Sequence, residues 1–221
     1  MIRVVVFDFD GVILESGDIK TEAFLELFAA HPEHLAAIRQ HHLENLGLSR
    51  FKKFQWIYAN LLHMTYDEAT QDRLATAFAA LVFDKVCAAP FVPGALAALQ
   101  ALKAAEVPMV IASGTPQDEL ERIVQARELV PFFLEVNGTP SEKPEVLRRT
   151  MERFACGPNE LLFVGDGTSD HDAALATGVR FLARRTRELA EHWRTCGATC
   201  VDDLTDLASF VRAPNAVGTS P

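Results

Sequence analysis

Five short apolar runs, four of them in an alternating second half, constrain this 221-residue chain more than any other feature. They are "RVVVFDF" (3–9), "VPMVIAS" (107–113), "FFLEV" (132–136), "ELLFVGDG" (160–167) and "GVRFLARR" (178–185). Most are unbroken rather than alternating in polarity, the pattern of a strand covered on both faces. From residue 94 onward each run is separated from the next by a stretch of helical spacing, such as "PQDELERIVQARELV" and "EKPEVLRRTMERFA". Pro93 and Gly94 open the first of these helices, expected to run to about Ala105. A further helix is expected over 186–195, and a weak edge strand and helix over 198–212. Strand and helix in strict alternation predict a parallel sheet wrapped by helices through right-handed crossovers.

One segment breaks the alternation. From about residue 16 to 88 the chain shows helical spacing only, as in Phe24, Leu25, Leu27 and Phe28, then Phe54, Ile57, Tyr58, Leu61 and Leu62. The expected fold class is therefore α/β: a doubly wound, Rossmann-like parallel sheet with a helical cap inserted after the first strand. The expected domains are 1–15 with 89–212 as core, 16–88 as cap, and 213–221 as a small, polar, disordered tail.

Composition narrows the function classes. The formal charge of −9 argues against nucleic acid or an anionic membrane surface as partner. Four scattered cysteines form no disulfide framework, and Cys196 with Cys200 lacks the second ligand pair of a zinc site. The first residues do not read as a signal peptide and no apolar run is long enough to span a membrane, so a cytoplasmic location is expected.

In a doubly wound sheet the binding crevice lies beyond the carboxyl ends of the strands. There the first run presents Asp8 and Asp10, the second Ser113-Gly114-Thr115, and the fourth Gly165-Asp166-Gly167, while Lys143-Pro144 opens a helix. Side chains at i and i+2 of a strand project to one side. Like charges about 4 Å apart repel by about 4 kcal/mol at an effective dielectric near 20, so gathered carboxylates call for a cation. Oxygen ligands in a partial set suit Mg²⁺.

Taken together, Asp8-Phe9-Asp10-Gly11-Val12, Ser113, Lys143-Pro144 and Gly165-Asp166-Gly167-Thr168-Ser169-Asp170 resemble the four ordered motifs of the haloacid dehalogenase superfamily. The inserted helices resemble its β-phosphoglucomutase and phosphoglycolate-phosphatase branch. The resemblance implies that Asp8 attacks phosphorus and forms an aspartyl-phosphate. It implies Mg²⁺ held by Asp8, the backbone carbonyl of Asp10 and Asp166, with Lys143 offsetting the remaining charge. Asp10 becomes the general acid and then the base. Ser113 and backbone N–H groups hold phosphate oxygens, with Gly11, Gly114 and Thr115 at the phosphate. Asp170 orients the metal shell or caps its helix, and both roles are compatible.

Substrate choice is expected to lie in the cap, where "LGLSRFKKF" (46–54) carries a basic cluster. Arg50 is the candidate for a bidentate clamp on a non-reacting anionic group, with Lys52 and Lys53 as weaker candidates. Glu15, Ser16 and Lys20 are expected near the mouth of the site. His41 and His42 read as a solvated helix face, His63 and Trp56 as cap packing, and His171 as an exposed first-turn residue. The expected activity is Mg²⁺-dependent hydrolysis of a small phosphorylated metabolite, a sugar phosphate or phosphoglycolate-like, by a monomer or homodimer. A phosphomutase using the same groups, a non-catalytic binding module on this fold and a D-x-D glycosyltransferase are the alternatives.

Overall fold

The computed structural model describes residues 1–213. The expectation of a disordered tail therefore falls, save for its first residue, outside the described residues. Six parallel strands form one sheet: β1 (Val4–Phe7), β2 (Met109–Pro116), β3 (Glu135–Thr139), β4 (Leu161–Gly165), β5 (Arg180–Arg184) and β6 (Cys200–Val201). Their order is β3-β2-β1-β4-β5-β6, the doubly wound arrangement. β1 is central, in register with β2 (Val5 opposite Met109) and β4 (Val4 opposite Leu161).

The period of two along β1 divides the core between the faces. Val5 and Phe7 pack in one cluster with Leu99 and Leu102 of α5 (Ala95–Ala104) and with Leu120 and Ile123 of α6 (Gln117–Ala126). Val4 and Val6 pack in another, with Val146 and Leu147 of α7 (Lys143–Arg153) and Ala173 and Ala174 of α8 (Thr168–Thr177). Every residue of β1 is buried, as the unbroken apolar run requires. Two further helices, α9 (Ala190–Cys196) and α10 (Leu207–Arg212), complete the C-terminal half.

Between β1 and α5 the chain forms α1 (Gly17–Leu27), α2 (Leu35–Glu44), α3 (Arg50–Ile57) and α4 (Glu68–Ala88), with no strand among them. An aromatic knot of Phe24, Phe54 and Phe78 joins α1, α3 and α4, with ring centroids 4.8–5.9 Å apart.

Two expected elements sit elsewhere. The third strand runs over 135–139 rather than 132–136, because Val130–Phe132 closes a 3₁₀ turn around Pro131 and the polar "EVNGT" pairs with β2 instead. The helix expected from 186 begins at Ala190. Among the described residues no helix is long and apolar enough to cross a membrane.

Candidate active site

The winding of the sheet reverses between β1 and β4, and at that edge the chain places its acids. Asp8, one residue past β1, is 2% exposed. Its Oδ1 accepts the Phe9 N–H at 2.6 Å and its Oδ2 accepts from Lys143 Nζ at 3.0 Å. Lys143 opens α7 and also donates to Asp170 Oδ1 at 2.5 Å. Asp170, at the third position of α8, accepts the Gly167 N–H at 2.9 Å through its other oxygen. It therefore braces the first turn of α8 and fixes the lysine, while the N-cap expected of it is Gly167.

Asp166, just past β4, is buried and accepts no hydrogen bond from the described residues. Asp8, Asp166 and Asp170 bring oxygen atoms within 4.8 Å of one another, all three buried. Burial, reinforced by Asp170, pushes the Asp8 carboxyl up to about 7 despite the opposing Lys143. Burial and then Asp8 drive Asp166 well above the carboxylate range. Burial alone would lower Lys143, but Asp170 and Asp8 outweigh it and hold the ammonium above its usual range. A buried carboxylate without a donor, crowded by two others, is a site that a divalent cation relieves, and hard oxygen donors suit Mg²⁺. Among the described residues Asp166 accepts from no donor, and Asp8 lies beside it at the strand ends, so these two side chains are placed to hold it.

Asp10 faces a different environment. Its Oδ1 accepts from Ser16 Oγ at 2.7 Å, and its Oδ2 accepts from Thr115 Oγ1 at 2.9 Å and from Lys20 Nζ. Lys20, on α1, also donates to Thr115 Oγ1 at 2.7 Å. Burial would raise Asp10, but Lys20 and the two hydroxyls outweigh it and hold its carboxyl below the usual range. Asp8 and Asp10, two residues apart, are thus pushed in opposite directions, the arrangement that divides roles between paired acids.

Ser113 and Thr115 are buried at the end of β2, with the Thr115 N–H donating to Ser113 Oγ at 3.2 Å. The Thr115 hydroxyl, expected at the phosphate, is committed to Asp10 and Lys20. Two glycines also differ from expectation in what approaches them. At Gly11 (φ +73°) an added Cβ would lie 2.1 Å from Asp166 Oδ2, so the left-handed turn and the missing side chain make room for that carboxylate. At Gly114 the close neighbour is the carbonyl of Gly47, 2.7 Å from where a Cβ would sit, because the loop between α2 and α3 closes over the strand end. The same loop is tied down by Ser169 Oγ donating to the Leu46 carbonyl and Thr168 Oγ1 to that of Glu44, both at 2.9 Å. Gly11→Ala is expected to lower stability by about 2–5 kcal/mol, the sum of a left-handed alanine and an overpacked contact. Thermal unfolding, with the wild type alongside, measures it.

Arg50 is placed otherwise than a substrate clamp requires. It is buried in α3, and its guanidinium forms a bidentate pair with Glu119 of α6 at 2.6 and 2.8 Å, with Phe78 4.5 Å beneath it. The planar fork expected to meet an anionic ligand is filled by an internal carboxylate. Lys52 pairs at the surface with Glu142. Glu15 binds Arg184 at 2.6 Å. His41 stacks on Trp56 at 3.7 Å, but His42 lies buried rather than on a solvated face. His171 is only partly exposed and packs against Phe181 and Trp193.

A cavity of about 50 Å³ connects the sheet edge with the inserted helices. Asp8, Asp10 and Ser113 lie on its sheet side; Phe24, His42 and Lys53 lie on its helical side. Motif reading passes over Glu119, takes His42 for a solvated helix face and ranks Lys53 below Arg50. A helical-spacing signal existed for two of them: His42 follows Ile38 by four positions, and Lys53 shares the buried stripe Arg50, Lys53, Phe54 and Ile57.

Comparison with known proteins decides the family. The haloacid dehalogenase-like hydrolase family model matches residues 2–178. The chain belongs to the haloacid dehalogenase-like hydrolases. This hydrolase is 27% identical over 227 residues to a phosphoglycolate phosphatase of Rhodospirillum rubrum, covering 99% of the chain and 94% of the relative. It is 26% identical to phosphoglycolate phosphatase 1 of Pseudomonas aeruginosa, covering 93% and 78%. In fold it is similar to β-phosphoglucomutase of Clostridium difficile, with TM-score 0.73 at 16% identity and coverage of 94% and 93%. It is also similar in fold to CbbY of Rhodobacter sphaeroides in complex with xylulose-(1,5)bisphosphate, with TM-score 0.71 at 18% identity and coverage of 94% and 96%.

Proposed function

We propose that this hydrolase is a Mg²⁺-dependent phosphatase of small phosphorylated metabolites, phosphoglycolate-like acids or sugar phosphates, acting through an aspartyl-phosphate on Asp8. The observation that carries the reading is Asp8 itself: a buried carboxylate at the strand end, aligned by the Phe9 N–H and Lys143, beside a second carboxylate that no donor satisfies. Relatives named phosphoglycolate phosphatase over nearly the whole chain support phosphate ester hydrolysis over phosphoryl return to a sugar.

When bound between Asp8 and Asp166, the cation supplies charge neutralisation for an anionic nucleophile meeting an anionic phosphate. Asp8 then forms a bond to phosphorus as the bond to the ester oxygen breaks, and Lys143 holds the attacking carboxylate in line. The departing alkoxide takes a proton from Lys20 Nζ, which Asp10 holds in an ion pair and to which Asp10 returns the proton gained in the next step. Asp10, ionised in that pair, takes a proton back from the water that attacks the aspartyl-phosphate. Phosphate leaves and Asp8 is restored. Ser113 and the Gly114 N–H face the phosphate oxygens, with the Thr115 N–H fixing the serine hydroxyl. In this reading residues 16–88 are the cap and 1–15 with 89–212 the catalytic core, and the loop over Gly114 excludes water during the reaction.

The test is phosphate release from a panel of phosphorylated metabolites and one aryl phosphate, with Mg²⁺ and with chelator. Release is expected only with Mg²⁺. The cation at 100 times its dissociation constant should also raise folding stability by about 2.7 kcal/mol, read as a rise in melting temperature. Equal release with excess chelator would exclude the metal role, and no release from any ester would exclude the activity.

A further inference from the structure

Apart from the acids of the active site, one other set of ligating side chains converges among the described residues: His171 of α8 with His192 and Cys196 of α9. One nitrogen of each imidazole and the Cys196 Sγ all lie within 4.8 Å of one another. His192 and Cys196 are four positions apart, which sets them on one face of α9. His171 is held beside them by Phe181 and Trp193, with ring centroids 5.3 and 5.8 Å from its own. Neighbouring residues of a helix point about 100° apart, so Asp170 turns to Lys143 while His171 turns to α9. The two sets therefore share no side chain.

Ring packing explains where His171 sits, since any aromatic ring fills the space beside Phe181 and Trp193. It does not explain the polar atoms. His192 Nε2 is buried with no hydrogen-bond partner among the described residues, a cost that remains until something meets that nitrogen. The Cys196 Sγ makes one weak contact, 3.7 Å from the Trp193 carbonyl. The donor set decides which ion would relieve it. Mg²⁺ takes oxygen, whereas two imidazoles with a thiolate suit Zn²⁺ and its transition-metal neighbours. A tetrahedral shell with Zn²⁺ bonds of 2.0–2.3 Å spaces its donors about 3.3–3.7 Å apart, so these three need to close by about 1.5 Å at most, within reach of side-chain rotation.

We propose that His171, His192 and Cys196 form a second metal site, separate from the active-site acids, which takes a Zn²⁺-class cation on three protein ligands with a fourth position open to water. Cys196 is exposed, so the ion enters from solvent, and the thiol proton leaves to solvent as the sulfur binds. Cys200 stands outside the set, its Sγ donating to the Ala198 carbonyl at 3.2 Å. The ligands that Cys196 lacks in its own stretch of sequence are thus two histidines, one of them from another helix. Bound there, the cation clips α9 to α8, whose first turn carries the Asp170 brace on Lys143.

The test titrates Co²⁺ into the reduced, tag-free chain, with excess Mg²⁺ present to occupy oxygen sites. A thiolate bound to Co²⁺ gives a charge-transfer band in the near ultraviolet that carboxylates and water do not give, and the readout needs neither ester nor turnover. One Co²⁺ per chain should produce the band, and Zn²⁺ should abolish it by displacement. Cys196→Ser, at an exposed position, should remove the band, and Cys200→Ser should leave it intact. His171→Gln and His192→Gln should each weaken Co²⁺ binding about tenfold or more. Zn²⁺ at 100 times its Kd should raise the wild-type melting temperature by about 5–11 °C and leave that of Cys196→Ser unmoved. Absence of a thiolate band at millimolar Co²⁺ overturns the proposal, as does a band that survives Cys196→Ser or vanishes in Cys200→Ser. Undiminished affinity in both histidine variants overturns it too, because the cation would then sit on the thiol alone.

Discussion

Asp8→Asn is expected to reduce phosphate release by about 10⁴-fold or more, the scale seen when a covalent nucleophile is removed. The amide has the shape of the carboxylate and can still accept the Phe9 N–H, but it lacks the charge and the free electron pair that attack phosphorus. Lys143 keeps Asp170 as partner, so the lysine remains in place. Because burial and the neighbouring Asp170 already disfavour the charge on Asp8, neutralising it relieves the cluster rather than breaking it. Without a bound cation the variant should melt at or above the wild-type temperature. Lost turnover with retained stability isolates chemistry from folding. Phosphate release by Asp8→Asn at more than a tenth of the wild-type rate, on the same ester, would remove Asp8 from the nucleophile role.

The second large effect is structural. Glu119→Ala leaves the Arg50 guanidinium buried over Phe78 with no counter-charge, and breaking a buried pair from one side costs about 3–5 kcal/mol. For a chain of this size each kcal/mol lowers the melting temperature by about 2–4 °C, so a fall of about 6–20 °C is expected. The double variant Arg50→Met/Glu119→Leu removes both charges and should recover most of the loss, because an apolar pair of similar volume needs no desolvation of ions. The pair joins α3 of the helical segment to α6 on the sheet, so a large coupling energy would also mark it as the clasp between them. A Glu119→Ala variant within 1 kcal/mol of wild type, by the usual linear denaturant analysis, would show that this contact carries little.

The polar side of the site was readable only where a residue's neighbours in sequence fix its direction. Asp8 and Asp166 follow buried strands by one residue, and a strand end points its next residues into the crevice whatever the rest of the chain does. Lys20 is a harder case. Its spacing on α1 puts it near the mouth, but that it grips Asp10 depends on how α1 leans against Thr115, 95 positions away. Glycine at 114 invited the thought of a phosphate close to the backbone, whereas the space is used by the carbonyl of Gly47.

What the sequence alone determined is the alternation of elements, the place of the helical insertion, and the gathering of Asp8, Lys143 and Asp166 at one sheet edge. All of these follow from local periodicity and from the fixed geometry of parallel strands. What only the tertiary structure decided is the partner of each buried cation. Arg50 and Lys53 lie on the same stripe of α3 as Phe54 and Ile57, so the pattern already said that both face inward. It could not say that Arg50 would meet Glu119 and Lys53 the ring of His42, because helical spacing fixes a side chain's direction from its axis and carries no record of what stands opposite.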